Sequence, residues 1–273
     1  MDQVQLATFQ AVIGTGSFEA AARQLHVTPS AVSQRIKALE SAVGQVLVRR
    51  AKPCVATPAG EALVRFAGQV ELLEREALAQ ARDGSRVSIV VNADSLDTWF
   101  LPALAAVPGP SYELHTDDQD YTADLLRSGT AMAAVTAEHV AVQGCRLEPL
   151  GAMRYLPVGS GDLSAPMIVY NRKDHIQHRF LASLGRDADG PIHYVPAAAA
   201  FVEAIRLGLG WGMVPEQHAL PDIAAGHYRP LFPDKFLDVP LYWQYWKIES
   251  AVLSDLTAAV KAAAAVLRRK PRS

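Results

Sequence analysis

Three short stretches of the sequence combine residue types that could bind another molecule. Gly14–Ser17 could open a loop that binds phosphate through backbone amides, and Ser30–Lys37 carries hydroxyl, amide and cationic side chains at close spacing. Further along, Asp94–Asp97 places two carboxylates and a hydroxyl within four residues. The corresponding chemistries are phosphate binding, contact with a nucleic acid and, if Asp94 or Ser95 caps a helix, binding of a carboxylate at the start of that helix. The secondary structure predicted around each stretch decides which of these chemistries is possible there.

The composition limits the possible classes of protein. The 273 residues are half hydrophobic, which is enough for two domains with cores of their own. The net charge of −2 means that any surface for nucleic acid must be local. Cys54 and Cys145 form no metal motif, so we expect reduced thiols and neither a structural metal nor another cofactor. The acidic N-terminus and the lack of an apolar run of about 20 residues predict a cytoplasmic protein without a membrane span.

The context of Gly14 and Gly16 argues against a nucleotide-binding loop. Such a loop follows a buried strand, whereas residues 4–13 place their apolar side chains at helical spacing. We therefore expect the glycines to end a helix and Ser17 to cap the next one.

The sequence contains no complete catalytic motif. Gly159–Gly161 and Gly208–Gly212 lack the spacing of a nucleophile elbow or a nucleotide loop. The eight histidines form no paired metal motif. We therefore predict that the protein is not an enzyme.

Residues 18–43 are predicted to form a helix, a tight turn and a second helix. The first, Phe18–Leu25, has a small alanine face that allows close packing, and Thr28 caps the second with Pro29 at its first position. The second helix, Pro29–Val43, separates an apolar face from a polar one. This is the pattern of a helix-turn-helix, whose second helix enters the major groove of DNA.

The charge distribution favours DNA binding over the alternative, a small helical domain with a solvated polar face. Residues 17–52 contain six lysines and arginines against two glutamates, a local charge of +4 in a protein that is negative overall. Such a basic region is typical of phosphate binding. The helix residues that we expect to contact DNA are Thr28, Pro29, Ser30, Ser33, Gln34, Arg35 and Lys37.

This segment resembles the N-terminal domain of LysR-type transcriptional regulators. The family pattern is T/S-x-S-A-V-S-x-x-I-x-x-L-E followed by T-x-x-G, and the matching residues are Thr28, Ser30, Ala31, Val32, Ser33, Ile36, Leu39, Glu40, Thr57 and Gly60. The resemblance implies a winged helix with Gln45–Thr57 as the wing and with Arg49, Arg50 and Lys52 near DNA phosphates. It also implies promoter DNA and RNA polymerase as partners.

A single amphipathic helix is predicted for Pro58–Arg82, because apolar residues recur there at helical spacing. So long a helix needs a partner for its apolar stripe. One possibility is packing against its own second domain. The other, which the family implies and which we favour, is an antiparallel dimer helix, with a tetramer as the usual state of the family. Asp83–Ser85 is the predicted hinge.

The rest of the chain alternates short apolar runs with helical patterns, which predicts a mostly parallel α/β sheet. Predicted strands are Val87–Val91, Tyr112–His115, Met132–Val135, Tyr155–Val158, Pro166–Tyr170, His193–Val195, Gly212–Val214 and Leu241–Trp246. Predicted helices are Leu96–Ala106, Tyr121–Ser128, Ile176–Leu184, Ala198–Leu209 and Glu249–Leu267.

The family implies that this α/β domain has two Rossmann-like lobes, as in a periplasmic binding protein. The expected organisation is an all-α winged helix-turn-helix domain (1–57), a linker helix and hinge (58–84) and a two-lobed effector domain (85–273). Lobe I would comprise about 85–159 and 238–273, and lobe II about 160–237. Effectors would bind in the cleft, at the carboxyl ends of strands and the N-termini of helices.

The stretch NADSLDTWFLPAL, residues 92–104, resembles the ArgP/LysG branch of the family, whose members respond to lysine and arginine. Further similarity occurs at 134–136, 144–145, 150–155, 200–202 and 241–243 and is weak from 160 to 190. The branch implies a basic amino acid as the small-molecule effector. It also implies control of amino-acid export or related genes.

A bound basic amino acid needs a donor pocket for its carboxylate and anions for its ammonium groups, because an unpaired buried ammonium is costly. Candidates for the carboxylate are Ser95 and Thr136, and candidates for the cations are Asp94, Asp97, Asp174 and Glu203. Trp99 or Phe201 could cover the aliphatic chain.

Two alternatives stay open. Arg172 and Lys173 add positive charge beside Asp174, which would suit an anionic metabolite instead. An alternative from another class is an amino-acid-binding protein whose helix-turn-helix does not function.

Overall fold

The N-terminal domain consists of three helices followed by a two-stranded wing. The structure is a computed structural model that describes residues 1–79, 86–116 and 122–267. The elements of this domain are α1 (Gln3–Thr15), α2 (Phe18–Gln24), α3 (Pro29–Val43), β1 (Val48–Arg49) and β2 (Val55–Ala56). Phe9, Val12, Val32, Ile36 and Leu39 form the centre of its core.

Short polar side chains begin the helices as the sequence predicts. Gly16 ends α1 with a positive φ of 67°, and the Ser17 hydroxyl accepts a hydrogen bond from the Ala20 amide. Thr28 caps α3 in the same way, with Pro29 in the first turn. The prediction that this glycine stretch ends one helix and leads into the next is confirmed.

The wing is tied to both neighbouring helices. The Glu40 carboxylate on α3 accepts hydrogen bonds from the Leu47 amide at 2.8 Å and the Val48 amide at 3.3 Å. Thr57 accepts a hydrogen bond from the Gly60 amide at 3.1 Å and so caps the next helix. A Cβ atom at Gly60 would collide with the Leu47 carbonyl oxygen, which explains a glycine in the T-x-x-G motif.

The linker helix α4 (Pro58–Ala79) packs one face against its own effector domain. Leu72 is buried in the core of that domain, and a Cβ atom at Gly68 would lie 2.8 Å from the Trp246 ring. Phe66 and Leu73 remain 43% and 42% exposed on another face. Packing against the same chain therefore accounts for part of the apolar stripe. The predicted hinge at 83–85 lies outside the described residues.

The effector domain contains one mixed sheet in the order β4-β3-β5-β11-β6-β9-β7-β8, with β10 paired to β6. The strands are β3 (Arg86–Val90), β4 (Ser111–His115), β5 (Ala133–Thr136), β6 (Cys145–Gly159), β7 (Met167–Val169), β8 (Ile192–Tyr194), β9 (Trp211–Pro215), β10 (Arg229–Pro230) and β11 (Leu237–Trp246).

Helices pack on both parts of this sheet. They are α5 (Ala93–Ser95), a π-helical turn (Leu96–Phe100), α6 (Leu101–Ala105), α7 (Thr122–Arg127), α8 (Ile176–Ser183), α9 (Ala198–Arg206), α10 (Glu216–Ala225) and α11 (Ala251–Ala263). Tyr121, at which a helix was expected to begin, lies outside the described residues. No helix in the described part of the chain is long and apolar enough to cross a membrane.

Two long antiparallel strands connect the two parts of the sheet. β3, β4 and β5 are parallel on one side, and β7, β8 and β9 are parallel on the other. β6 and β11 pair with each other between them. Arg154 on β6 and Asp238 on β11 form two hydrogen bonds of 2.8 and 2.9 Å across the pair. The predicted two-lobed α/β architecture is confirmed.

Candidate functional site

Helix α3 presents a polar surface that is suited to contact with DNA. Thr28, Ser30, Gln34 and Lys37 are exposed, and the hydroxyls of Thr28 and Ser30 lie 3.0 Å apart. Arg35 is half-buried and donates to the Thr8 hydroxyl of α1 at 3.4 Å. A helix that exposes hydroxyl, amide and ammonium groups along one face can contact both base edges and phosphates.

The wing adds cations beside this helix. Arg49, Arg50 and Lys52 are exposed, and the Arg50 guanidinium lies 4.8 Å from the centre of the Phe18 ring. Because Glu40 holds the wing to α3, these cations belong to the same surface as the recognition helix. Their charge suits phosphate oxygens. Of the other predicted DNA contacts, Pro29 is exposed and Ser33 is half-buried.

A cavity of about 400 Å³ lies between the two lobes of the effector domain. It is bordered by the start of α5, the start of α8, the start of α9 and the crossing strand β6. Its lining includes charged, polar and aromatic side chains: Asp94, Asp97, Thr116, Tyr155, Asn171, Lys173, Asp174, Arg179, Phe201 and His218. The site therefore collects residues from six separate parts of the chain.

Asp94 is the most perturbed acid of this cavity. Its pKa is raised to about 6, mainly by burial, and the negative charges of Asp174 and Asp97 act in the same direction. The Tyr155 hydroxyl donates a hydrogen bond of 2.7 Å to Asp94 and acts in the opposite direction. A partly buried carboxylate without a cation of its own is a suitable partner for a cationic ligand.

The other two cavity acids have different surroundings. Asp174 accepts backbone hydrogen bonds from Tyr170 at 3.2 Å and Ile176 at 2.9 Å, so it shapes the loop before α8. Asp97 lies 2.8 Å from His218 Nε2 on α10. The lining carries these three acids and two permanent cations, Lys173 and Arg179, which leaves one negative charge when the histidines are neutral.

The opposite wall of the cavity offers apolar surface and free amides. Phe201 and Ala198 line it, and α9 begins at Ala198 without any side-chain hydrogen bond to its first turn. The first amides of a helix need acceptors and carry partial positive charge. This arrangement can bind a carboxylate at the start of α9 while the Phe201 ring contacts an aliphatic chain.

The structure places four of the eight predicted effector residues in the cavity: Asp94, Asp97, Asp174 and Phe201. The other four do not line it. Glu203 points outward and pairs with Arg206 at 3.3 Å, and Thr136 is buried with its hydroxyl accepting from the Glu138 amide. Ser95 and Trp99 are buried in lobe I, because their helical segment turns them away from the cleft. These four residues therefore lie outside the cavity lining.

Sequence reasoning missed several cavity residues, above all Tyr155 and His218. Tyr155 was assigned to a strand and given no role, although a tyrosine in a strand that connects two lobes is a candidate for the cleft. His218 lies on α10, which the sequence pattern did not predict. Lys173 was noted only as a positive charge beside Asp174.

The described residues offer no site for a metal ion. They contain no group of three or more histidine, cysteine, aspartate or glutamate side chains that could hold one. Cys54 and Cys145 are free thiols, and burial raises the pKa of Cys145 to about 11. At neutral pH Cys145 is therefore a thiol and a poor nucleophile.

Comparison with known protein families matches both parts of the chain. Residues 4–61 match "Bacterial regulatory helix-turn-helix protein, lysR family", and residues 80–270 match "LysR substrate binding domain". The chain is 47% identical over 290 residues to the transcriptional regulator LysG of Mycobacterium tuberculosis, covering 98% of this chain and 95% of that protein. It is 44% identical to the lysine export regulatory protein LysG of Corynebacterium efficiens, covering 98% of this chain and all of that protein.

Solved structures show the same relationship. The crystal structure of ArgP from Mycobacterium tuberculosis superposes with a TM-score of 0.89 at 46% identity, covering 98% of this chain and 99% of that one. Full-length LysG from Corynebacterium glutamicum with bound effector Arg superposes with a TM-score of 0.83 at 40% identity, covering 99% of this chain and all of that one. The helix-turn-helix, the two-lobed domain and these relatives together establish that the chain belongs to the LysR family of bacterial transcriptional regulators.

Proposed function

We propose that the protein binds promoter DNA through α3 and the wing and that lysine or arginine, bound in the cavity between the lobes, regulates this binding. The proposed DNA contacts are Thr28, Pro29, Ser30, Ser33, Gln34, Arg35, Lys37, Arg49, Arg50 and Lys52. The exposure of all of them except the half-buried Ser33 and Arg35, together with the local charge of +4, supports this part.

The cavity acids carry the proposal for the effector. Asp94, Asp97 and Asp174 lie in one cavity that also contains an uncapped helix start and an aromatic ring. A basic amino acid has two cationic groups, one carboxylate and an aliphatic chain, so each part meets a complementary group. The carboxylate would bind at the start of α9, the chain would contact Phe201, and the cations would bind the acids.

The names of the relatives support the same effector class. The Corynebacterium glutamicum LysG structure contains arginine, and the Corynebacterium efficiens relative is named for lysine export. By analogy, we propose that the target genes serve amino-acid export or a related process. An anionic effector has less support, because the Arg172 guanidinium lies 5.0 Å from the Tyr194 ring centre and is not part of the cavity lining.

The effect of ligand binding in the cleft would reach the linker helix α4 through the strands that connect the lobes. Closure of the lobes moves β6 and β11, and α4 packs against the end of β11 at Trp246. We propose that the exposed Phe66 and Leu73 face of α4 pairs with a second copy and so places two recognition helices on one side of the DNA. A change of helix angle would then alter contact with DNA and with RNA polymerase.

The test is a thermal-shift experiment on the full chain. Arginine and lysine are compared with citrulline and norleucine, which have similar length but no side-chain cation, and with glutamate. A ligand at 100 times its dissociation constant stabilises the protein by about 2.7 kcal/mol. We expect stabilisation by arginine or lysine alone, its loss in Asp94→Asn and its retention in Glu203→Gln. Stabilisation by glutamate instead would overturn the proposed effector.

A further inference from the structure

Asp97 and His218 lie on opposite sides of the cavity and belong to different lobes. Asp97 is in the helical turn that follows β3, whereas His218 is in α10, which follows β9. These strands lie on either side of the connecting pair β6 and β11 in the sheet order. The 2.8 Å contact between Asp97 Oδ2 and His218 Nε2 therefore joins the two lobes across the cleft.

The pair lies toward the mouth of the cavity. The side chains of His218 and Asp97 are 34% and 40% exposed, and both line the cavity. His218 Nε2 itself is buried and makes no hydrogen bond, and its 2.8 Å contact with Asp97 is an ion pair when the imidazole is protonated. A partly exposed pair of this kind is weak, so it can open and close rather than lock the lobes.

The remaining cavity acids do not make this connection. Asp174 is held by backbone amides of its own lobe, and Asp94 is held by Tyr155 on the crossing strand. Asp97 and His218 are thus placed to hold the cleft closed around a ligand that the deeper acids bind.

We propose that the Asp97–His218 contact, which is an ion pair when the imidazole is protonated, closes the mouth of the effector cavity and slows the escape of a bound amino acid. The inference rests on the proposed function, because it concerns the same cavity. His218 acts as a positioning residue: it brings the lobes together and does not itself need to touch the ligand.

An alternative role for Asp97 is direct binding of a cationic group of the effector, in competition with His218. The two roles predict opposite effects of removing the histidine. If the ion pair closes the mouth, His218→Ala speeds dissociation of the effector. If His218 only competes for Asp97, the same change frees the carboxylate, so binding becomes tighter and dissociation slower.

The experiment measures dissociation of arginine by rapid mixing, with tryptophan fluorescence, from the full chain and from His218→Ala, Asp97→Ala and the double variant. We expect dissociation two- to fivefold faster in each single variant, which corresponds to about 0.4–1 kcal/mol at tenfold per 1.4 kcal/mol. The double variant should be no faster than the singles, because either change removes the whole contact. Glu203→Ala removes the Glu203–Arg206 ion pair outside the cavity and is the matched control, with unchanged dissociation.

A second measurement needs no effector. Amide hydrogen exchange of the same variants should become faster at the start of α10 and in residues 93–100, where the lobes meet, but not in β3 or β9. If arginine and lysine fail to bind the unmodified protein, the proposed effector is wrong and hydrogen exchange alone decides the role of the pair. Unchanged exchange would overturn the inference, as would unchanged or slower arginine dissociation in His218→Ala.

Discussion

The hydroxyl of Tyr155 donates a 2.7 Å hydrogen bond to Asp94, and this contact links the strand that connects the lobes to the acid with the most perturbed pKa in the cavity. Tyr155 belongs to β6, and Asp94 lies at the start of the helical segment in lobe I. The geometry couples the charge of the cavity to the position of the connecting strand. Four predictions follow from this and from the DNA-binding surface.

Arginine affinity should depend on pH because Asp94 must be ionised to bind a cation. Its pKa of about 6 means that it is mostly ionised at pH 7 and mostly protonated at pH 5. We expect binding about tenfold weaker at pH 5 than at pH 7. Calorimetric titration over this range measures the effect. In Tyr155→Phe the hydrogen bond that lowers the pKa is lost, so the decline should begin at a higher pH; a pH-independent affinity would contradict the role of Asp94.

Asp94→Asn should stabilise the ligand-free protein at neutral pH. The folded pKa of about 6 is above the ordinary value of 3.8, so the ionised acid destabilises the fold above pH 6. This penalty is relieved as the pH falls from about 6 to below 4. The expected gain at pH 7.5 is at most about 3 kcal/mol, from 1.36 kcal/mol per pKa unit, and less because Asp94 is partly exposed.

Urea unfolding at pH 7.5 and pH 4 measures this gain, which should shrink at the lower pH. Asp97→Asn is a useful comparison because Asp97 lies nearer the mouth of the cavity. A destabilised Asp94→Asn protein at pH 7.5 would show that the carboxylate has a favourable partner instead.

Glu40→Ala should weaken DNA binding by disordering the wing. The carboxylate accepts hydrogen bonds from two wing amides, and losing a charged acceptor costs about 1–3 kcal/mol. Glu40→Gln keeps an oxygen acceptor and should retain most of the affinity. Electrophoretic mobility shifts with a selected promoter fragment measure both variants, and equal binding by Glu40→Ala and the unmodified protein would refute this role of Glu40.

Gln34→Ala and Lys37→Ala should affect DNA binding in different ways. Gln34 is exposed on α3 and can pair with a base edge, so its loss should cost about 1–3 kcal/mol on the selected site and relax sequence preference. Lys37 is a candidate phosphate contact. Its loss should weaken binding to all DNA sequences alike and should reduce the slope of log affinity against log salt concentration by about one. Binding measured on specific and random DNA at several salt concentrations separates the two effects. The same response in both variants would contradict these roles.

Local patterns in the sequence were sufficient to predict the helices of the N-terminal domain, whereas the wing was expected from the family resemblance. Caps and helix ends depend on residues within one turn, so Gly16, Ser17 and Thr28 indicated their own conformations. The strand β6 was underestimated, because Pro149 and Gly151 interrupt its pattern while its pairing with β11 extends from residue 145 to 155. Helix α10 was missed because Pro221 lies inside it.

The cavity could be predicted only in part, because its residues come from distant segments. Asp94, Asp97 and Asp174 were identified as acids near predicted loops, and they do meet. Glu203 was also identified as an acid near a predicted loop. In the structure it lies on the side of α9 that faces away from the cavity and pairs with Arg206 of the same helix. The side of a helix that faces a cleft is decided by tertiary packing, as His218 on α10 also illustrates.

The contact between Gly68 and Trp246 has a mechanical consequence. Trp246 is the last residue of β11, and its ring occupies the space that a side chain at Gly68 would need. β6, which pairs with β11, contributes Tyr155 to the cavity, and β11 ends against the helix that carries the DNA-binding domain. Because a close-packed contact transmits strain, we expect a displacement of β11 to move α4 with it.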